Sequence, residues 1–296
     1  MNYLLKILKL KMLIFNIFIL LTAGLVQCIP LQTTPKLNKI ESFKIKSSST
    51  PSTWSTIPII YRGGPTMTNG NVYVIWYGSW TATQKSLVKL FSNGVSNTTW
   101  WNSQKTYGST NVVYKSDISN NYTMGKALTG QSISDLVYSA INTKLLPEDS
   151  AGIYFVATST DVLVDGYCTQ FCGWHSYFNY NANVIKYSFV GNTNQCPYAC
   201  SGQQTVSPNR DPGVDGMMSI LAHELVETMS DPMLNAWYDD QGAENADKCA
   251  WQFDKTYTLP SSAGTGKAGA KWNVKASNKN FLIQMNWNSI LQTCKN

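Results

Sequence analysis

Histidine is the scarcest chemistry-bearing side chain in this chain: 296 residues hold only His175 and His223. Any imidazole-dependent site must therefore use one of these two positions. A basic binding face is also missing. The formal net charge is +6, but residues 1–28 carry three lysines and no acid, and residues 29–56 carry four lysines against Glu41. Residues 57–296 hold 16 basic and 16 acidic side chains and are neutral. Nucleic-acid binding needs clustered Lys and Arg on the folded part, so no nucleic-acid partner is expected. Long apolar runs are absent too. Residues 12–21, apolar except for Asn16, fall short of the ~20 residues that span a bilayer. No internal repeat stands out.

What the N-terminus does have is the layout of a signal peptide. Lys6, Lys9 and Lys11 precede the apolar run, and Val26-Gln27-Cys28 offers a cleavage site before Ile29. Residues 1–28 are therefore assigned as a signal peptide, with an uncleaved anchor as the alternative, and no membrane contact is expected after cleavage. Residues 29–56, rich in Ser, Thr, Pro and Lys, read as a flexible linker, because such a composition buries too little apolar surface to offset ordering. Residues 57–296 read as one globular domain. Six cysteines then remain: Cys168, Cys172, Cys196, Cys200, Cys249 and Cys294. Secretion favours disulfides, with fifteen pairings open, although two Cys-x-x-x-Cys pairs also suit a zinc knuckle. Asn97 and Asn121 head Asn-x-Thr glycosylation triplets, which fit the same compartment.

Within the domain, strand-like and helix-like patterns alternate. Residues 72–77 (Val-Tyr-Val-Ile-Trp-Tyr) are β-branched and aromatic throughout, as a buried strand requires. Further strands are expected at 111–114, 152–158 and 184–190. Helices are expected at 83–91, 134–146 and 217–229 from their apolar spacing. This order predicts an α/β domain of three layers, a mixed sheet covered by helices. Residues 261–270 read as a surface loop.

The helix at 217–229 contains His223-Glu224-Leu225-Val226-Glu227. Residues four apart share a helix face, so His223 and Glu227 are placed to grip one zinc ion. Glu224 is placed to take a proton from a water at that ion, the catalytic role. Glu244, just past the helix, is the expected third ligand. Asp247, if its segment is helical, is expected to hydrogen-bond the free nitrogen of His223. His175 reads as a hydrogen-bonded supporting residue, with an extra ligand or an electrophile as alternatives. An ordinary solvated helix face is the competing reading, but His223 sits among Leu221, Ala222, Leu225 and Val226. Trp100-Trp101 and Trp237-Tyr238 offer aromatic faces for a glycan.

The motif resembles the His-Glu-x-x-His helix of the zincin metallopeptidases, whose thermolysin-like branch adds a ligating Glu some twenty residues later. That resemblance implies a zincin-like active-site helix and a peptide substrate. Glu227 departs from it, standing where the second His belongs, and a carboxylate weakens the metal's power to acidify water. Across the whole domain, Tyr61-Arg62-Gly63-Gly64-Pro65, the run from Asn71 to Trp80, Cys168-Thr169-Gln170-Phe171-Cys172-Gly173-Trp174-His175, Gln195-Cys196-Pro197, Gly213-Val214-Asp215-Gly216-Met217 and Asn235-Ala236-Trp237-Tyr238 resemble the Exordium family, also called phosphate-induced proteins. This second resemblance implies secretion and an extracellular or cell-wall role. It supplies no reaction, so a non-enzymatic matrix or growth-signalling protein with a relic or structural metal site is the alternative.

Overall fold

The β-branched and aromatic run at 72–77 lies inside a six-stranded mixed sheet. The computed structural model describes residues 34–46 and 57–296. The expected signal peptide and residues 29–33 and 47–56 of the expected linker lie outside the described residues. The strands are β1 (Glu41–Lys44), β2 (Asn69–Tyr77), β3 (Asn111–Asn120), β4 (Gly152–Thr158), β5 (Phe171–Tyr180) and β6 (Asn183–Gly191), in the spatial order β1-β5-β6-β4-β2-β3. Strands β3, β2, β4 and β6 are mutually parallel, β5 runs antiparallel to β6, and β1 antiparallel to β5.

Three helices cover the sheet: α1 (Ala82–Gly94), α2 (Gly130–Asn142) and α3 (Pro212–Ser230). Thr81 and Gln84 form a capping box on α1, and Thr129 and Ser132 form one on α2, which satisfies otherwise orphaned amides. That cap sets α2 four residues earlier than expected, and the helix has ended before Lys144, whose φ is +61°. Asp211 caps α3 by accepting from the Val214 amide at 3.0 Å, with Pro212 in its first turn. Residues 213–230 of α3 are all buried. A helix buried all round lies inside the core, so no solvated face exists to hold Glu224 and Glu227.

Alternation along β5 decides which residues meet α3. Phe178 packs against Tyr138 of α2, with ring centroids 6.4 Å apart. Gly173 faces the other way: a Cβ there would lie 2.5 Å from Ile220 Cγ2 and 2.9 Å from Glu224 Oε1. Helices therefore cover both faces, and His175, two residues on from Gly173, shares the α3 face. The expectation contained no strand here, because residues 171–180 mix Cys, Gly, His and Ser with aromatics.

The linker assignment needs correction for its described part. Residues 35–46 pack on the domain, and residues 35–296 form one compact unit. Pairing of β1 with β5 sets Phe43 opposite Gly173 and Glu41 opposite His175. Phe43 is fully buried, with its ring stacked on His223. One aromatic and a strand register outweigh a hydrophilic average.

The six cysteines form Cys168–Cys196, Cys172–Cys200 and Cys249–Cys294. Paired sulfurs displace the zinc-knuckle alternative. The first two bonds tie the lead into β5 to the lead into α3, and the third ties the turn after Asp247 to the C-terminus. Trp100 and Trp101 are buried, and the Trp100 indole donates to the Gln284 carbonyl at 2.7 Å. They are core residues, not a glycan platform. Trp237 is half-buried, edge-on against Tyr107. Asn97 and Asn121 are both exposed. Among the described residues no helix is long and apolar enough to cross a membrane.

Candidate metal centre

His223 and Glu227 project from one face of α3 as their spacing requires, with His223 Nε2 3.0 Å from Glu227 Oε1. Asp247 Oδ1 approaches the same nitrogen at 3.5 Å, and the Asp247 amide donates to Glu227 Oε1 at 3.0 Å. On the other side of Glu227, His175 Nε2 lies 2.9 Å from Glu244 Oε2 and 3.7 Å from Glu227 Oε2. Two donor groups result, His223–Glu227–Asp247 and His175–Glu227–Glu244, and within each the ligand atoms lie within 4.8 Å of one another.

Three expected roles change. Glu244 joins His175 and Glu227, not His223. Asp247 faces the ligand-side nitrogen of His223, and the other nitrogen, Nδ1, meets Gln284 Nε2 at 2.9 Å. His175 offers its Nε2 as a donor inside the cluster and is more than a support. The reason is local: Glu244 precedes a 3-10 turn, Asp247–Cys249, instead of lying on a helix, and the Glu244 amide donates to Asp247 Oδ2 at 3.3 Å. The chain thus turns Asp247 back toward α3. Gln284 was not anticipated, and its only signal is a polar side chain after the apolar run Phe281-Leu282-Ile283. Nor was Phe43, whose ring stacks on His223 at 4.0 Å and on Trp251 at 4.7 Å.

The donor set fits a divalent cation. Glu227 Oε2, Glu244 Oε1 and both oxygens of Glu224 are buried without a well-aligned hydrogen-bond partner, and His223 Nε2 meets only the Glu227 and Asp247 carboxylates. Buried polar atoms are otherwise almost always paired. Ligands held ~2.0–2.2 Å from a tetrahedral zinc lie about 3.3–3.6 Å from one another, and the observed approaches of 2.9, 3.0, 3.5 and 3.7 Å fall on either side of that spacing. Gln284 Nε2 also donates to the Ala246 carbonyl at 3.0 Å, so its amide hydrogens face His223 Nδ1 and leave the ring hydrogen on Nε2. An ion at Nε2 replaces that hydrogen, and Nδ1 then needs an acceptor. Gln284 Oε1, buried and unpartnered, becomes that acceptor when the amide turns over.

Without a cation the cluster must hold protons. Burial, reinforced by Glu227, drives the Glu224 carboxyl well above its ordinary value, although His223 opposes it. Burial and then the Glu227, Asp231 and Asp247 charges do the same to Glu244. Glu227 is raised by burial to about 7 even with His223 beside it. Burial pulls the His223 imidazolium down, but Glu227, Asp247 and Glu224 outweigh it and the net shift is strongly upward. His175 is lowered to about 3 by burial and by His223. Carboxyls raised in the fold contribute stability present below their unfolded value, about 4.3, and lost as pH rises through the folded value. For Glu227 that loss runs up to about pH 7, and raised His223 acts in the same direction. His175 acts oppositely, costing stability as pH falls below its ordinary value, but three carboxyls outweigh one imidazole. Denaturant unfolding of the metal-free protein is therefore expected to show greater stability at about pH 5.5 than at about pH 7.5. Saturation with zinc is expected to reverse that order.

Residues 59–296 match the family model described as the phosphate-induced protein 1 conserved region. Protein EXORDIUM-like 3 of Arabidopsis thaliana is 32% identical over 304 residues, covering 88% of this chain and 89% of that protein. Protein EXORDIUM-like 5 of the same plant is 30% identical over 307 residues, covering 87% and 81%. Protein PHOSPHATE-INDUCED 1 of Nicotiana tabacum is 29% identical over 267 residues, covering 76% and 83%. No solved structure matches. With the family model spanning the whole domain and these relatives matched over most of their length, the chain belongs to the Exordium-like, phosphate-induced family.

Proposed function

We propose that this chain is a secreted, extracellular member of the family whose α3 carries a zincin-like centre for hydrolysing peptide bonds. The observation that carries the reading is Glu224: its carboxylate is fully buried with no well-aligned partner beyond the approach of the Phe43 amide, beside a convergent His/carboxylate donor set. His223, Glu227 and Asp247 would hold a zinc ion, which when bound supplies a Lewis acid to a water or a substrate carbonyl. Glu224 takes the proton of the attacking water and returns it to the departing amine as the C–N bond breaks, so no external oxidant or acid is consumed. The raised Glu224 carboxyl suits the return step.

One observation favours a structural role for the metal in an extracellular matrix or growth-signalling protein. Residues 35–46 form an arm that covers the centre, with Phe43 flat on His223. A pocket of about 130 Å³ lined by Lys39, Glu41, Asp231, Tyr238 and Glu244 reaches it from outside. That volume admits waters or an ion but no peptide, so hydrolysis requires displacement of the arm.

The experiment that separates the two readings is Glu224→Gln. In zinc-loaded protein assayed on a mixed fluorogenic peptide set, it is expected to lower turnover by ~10²-fold or more. Elemental analysis is expected to find its zinc content unchanged. Wild-type protein that holds zinc yet cleaves nothing, before and after proteolytic removal of the arm, would establish the structural reading.

A further inference from the structure

Glu227 belongs to both donor groups, and its two oxygens point different ways. Oε1 faces His223 and Asp247 at the α3 end, whereas Oε2 faces His175 on β5. From this we infer that the cluster binds two divalent cations bridged by the Glu227 carboxylate, the second held by His175 and Glu244. The inference rests on the reading that His223, Glu227 and Asp247 hold the first.

Three independent features support a second ion. The first is unpaired donors: Glu227 Oε2, which faces His175, and Glu244 Oε1 are both buried without a well-aligned partner, and one ion at His223 would leave them so. Leaving a buried acceptor unsatisfied costs its desolvation. The second is charge. Glu224, Glu227 and Glu244 are buried, Asp247 nearly so, and ionised they carry four negative charges. One divalent cation leaves half of that uncompensated, whereas two neutralise it. The nearby cations do not serve: Lys39 is largely exposed and paired with Glu41, and Lys248 is paired with Asp239. Asp231 touches Glu244 as a fifth carboxyl, but its charge is answered by the amides of Asn235 and Ala236.

The third feature is geometry and access. A carboxylate bridge suits ions about 3.5–4 Å apart, the spacing of two-metal sites. Each position would have one imidazole and carboxylate oxygens, a set suited to zinc or manganese more than to calcium. Glu244 also lines the pocket of about 130 Å³ that opens beside Lys39 and Glu41, so the second position is the one nearer solvent. An ion there has an entry path past the arm, and it is the position expected to exchange first.

The test uses full-length protein stripped with chelator, refilled with zinc chloride alone, desalted and analysed for metal. Wild type is expected to hold about two zinc ions per chain, and His175→Gln and Glu244→Gln about one each. Unfolding curves check that each variant folds. Manganese-loaded wild type provides a readout independent of any variant, since a bridged pair gives an exchange-coupled electron spin resonance signal and separate ions do not. One zinc in wild type with only uncoupled manganese overturns the second site and leaves the first standing. Two zinc ions retained by both folded variants also overturn it, because the extra ion then lies elsewhere. No bound metal at all overturns the first site with the second.

Discussion

His223→Ala is expected to abolish tight metal binding at the His223–Glu227–Asp247 group while the fold persists. His223 supplies the only nitrogen of its donor group, 3.0 Å from Glu227 Oε1 and 3.5 Å from Asp247 Oδ1. Losing a partner that merely orients a ligand lowers metal affinity ~10–100-fold, so loss of the ligand itself should exceed that. The substitution also removes the positive partner of buried Glu227, and breaking a buried pair costs ~3–5 kcal/mol. His223→Gln keeps most of the volume and separates these two effects. Zinc competition against a chromophoric chelator measures the affinity, and denaturant unfolding measures the stability. Unchanged zinc affinity in folded His223→Ala would remove His223 from the site.

Phe43→Ala is expected to give a large stability loss. Truncating a fully buried Phe costs ~3–5 kcal/mol, and this ring loses stacking on both His223 and Trp251. Few anchors remain to hold the arm. They include Leu37 N to Gln131 Oε1 at 2.8 Å, Asn38 Nδ2 to the Tyr177 carbonyl at 2.7 Å, Lys46 N to the Ala199 carbonyl at 2.8 Å and the short β1 ladder. Each contributes about 1 kcal/mol net, so release of the arm caps the total loss. Two measurements follow from that cap: limited proteolysis within residues 35–46 should speed up, and chelator should strip bound metal faster. A protein as stable and as slowly cleaved as wild type would show that the arm takes no part in closing the site.

The elements legible from residues alone are those set by neighbours in the chain. The run 72–77 is a strand because β-branched and aromatic side chains favour one, and residues 152–158 form β4 with the expected bounds. His223 and Glu227 share a face because helical pitch brings i and i+4 together. The α3 cap at Asp211 is equally local, although the helix begins at Pro212, earlier than apolar spacing indicates.

What came only from the tertiary structure depends on distant segments meeting. Nothing near His175 marks it as a cluster member; the parity of β5 turns it toward α3. Gln284 reaches His223 across 61 residues, and Phe43 reaches the His223 ring through a strand pairing that spans some 130 positions. Cysteine number and compartment favoured disulfides, but fifteen pairings are equal until the fold brings sulfurs together. Short-range periodicity specified the helix, its two candidate ligands and four of the six strands of the main sheet. Whether Glu227 serves one donor group or two is a matter of which side chains surround each of its oxygens, and only packing of β5, the 244–249 turn and α3 decides that.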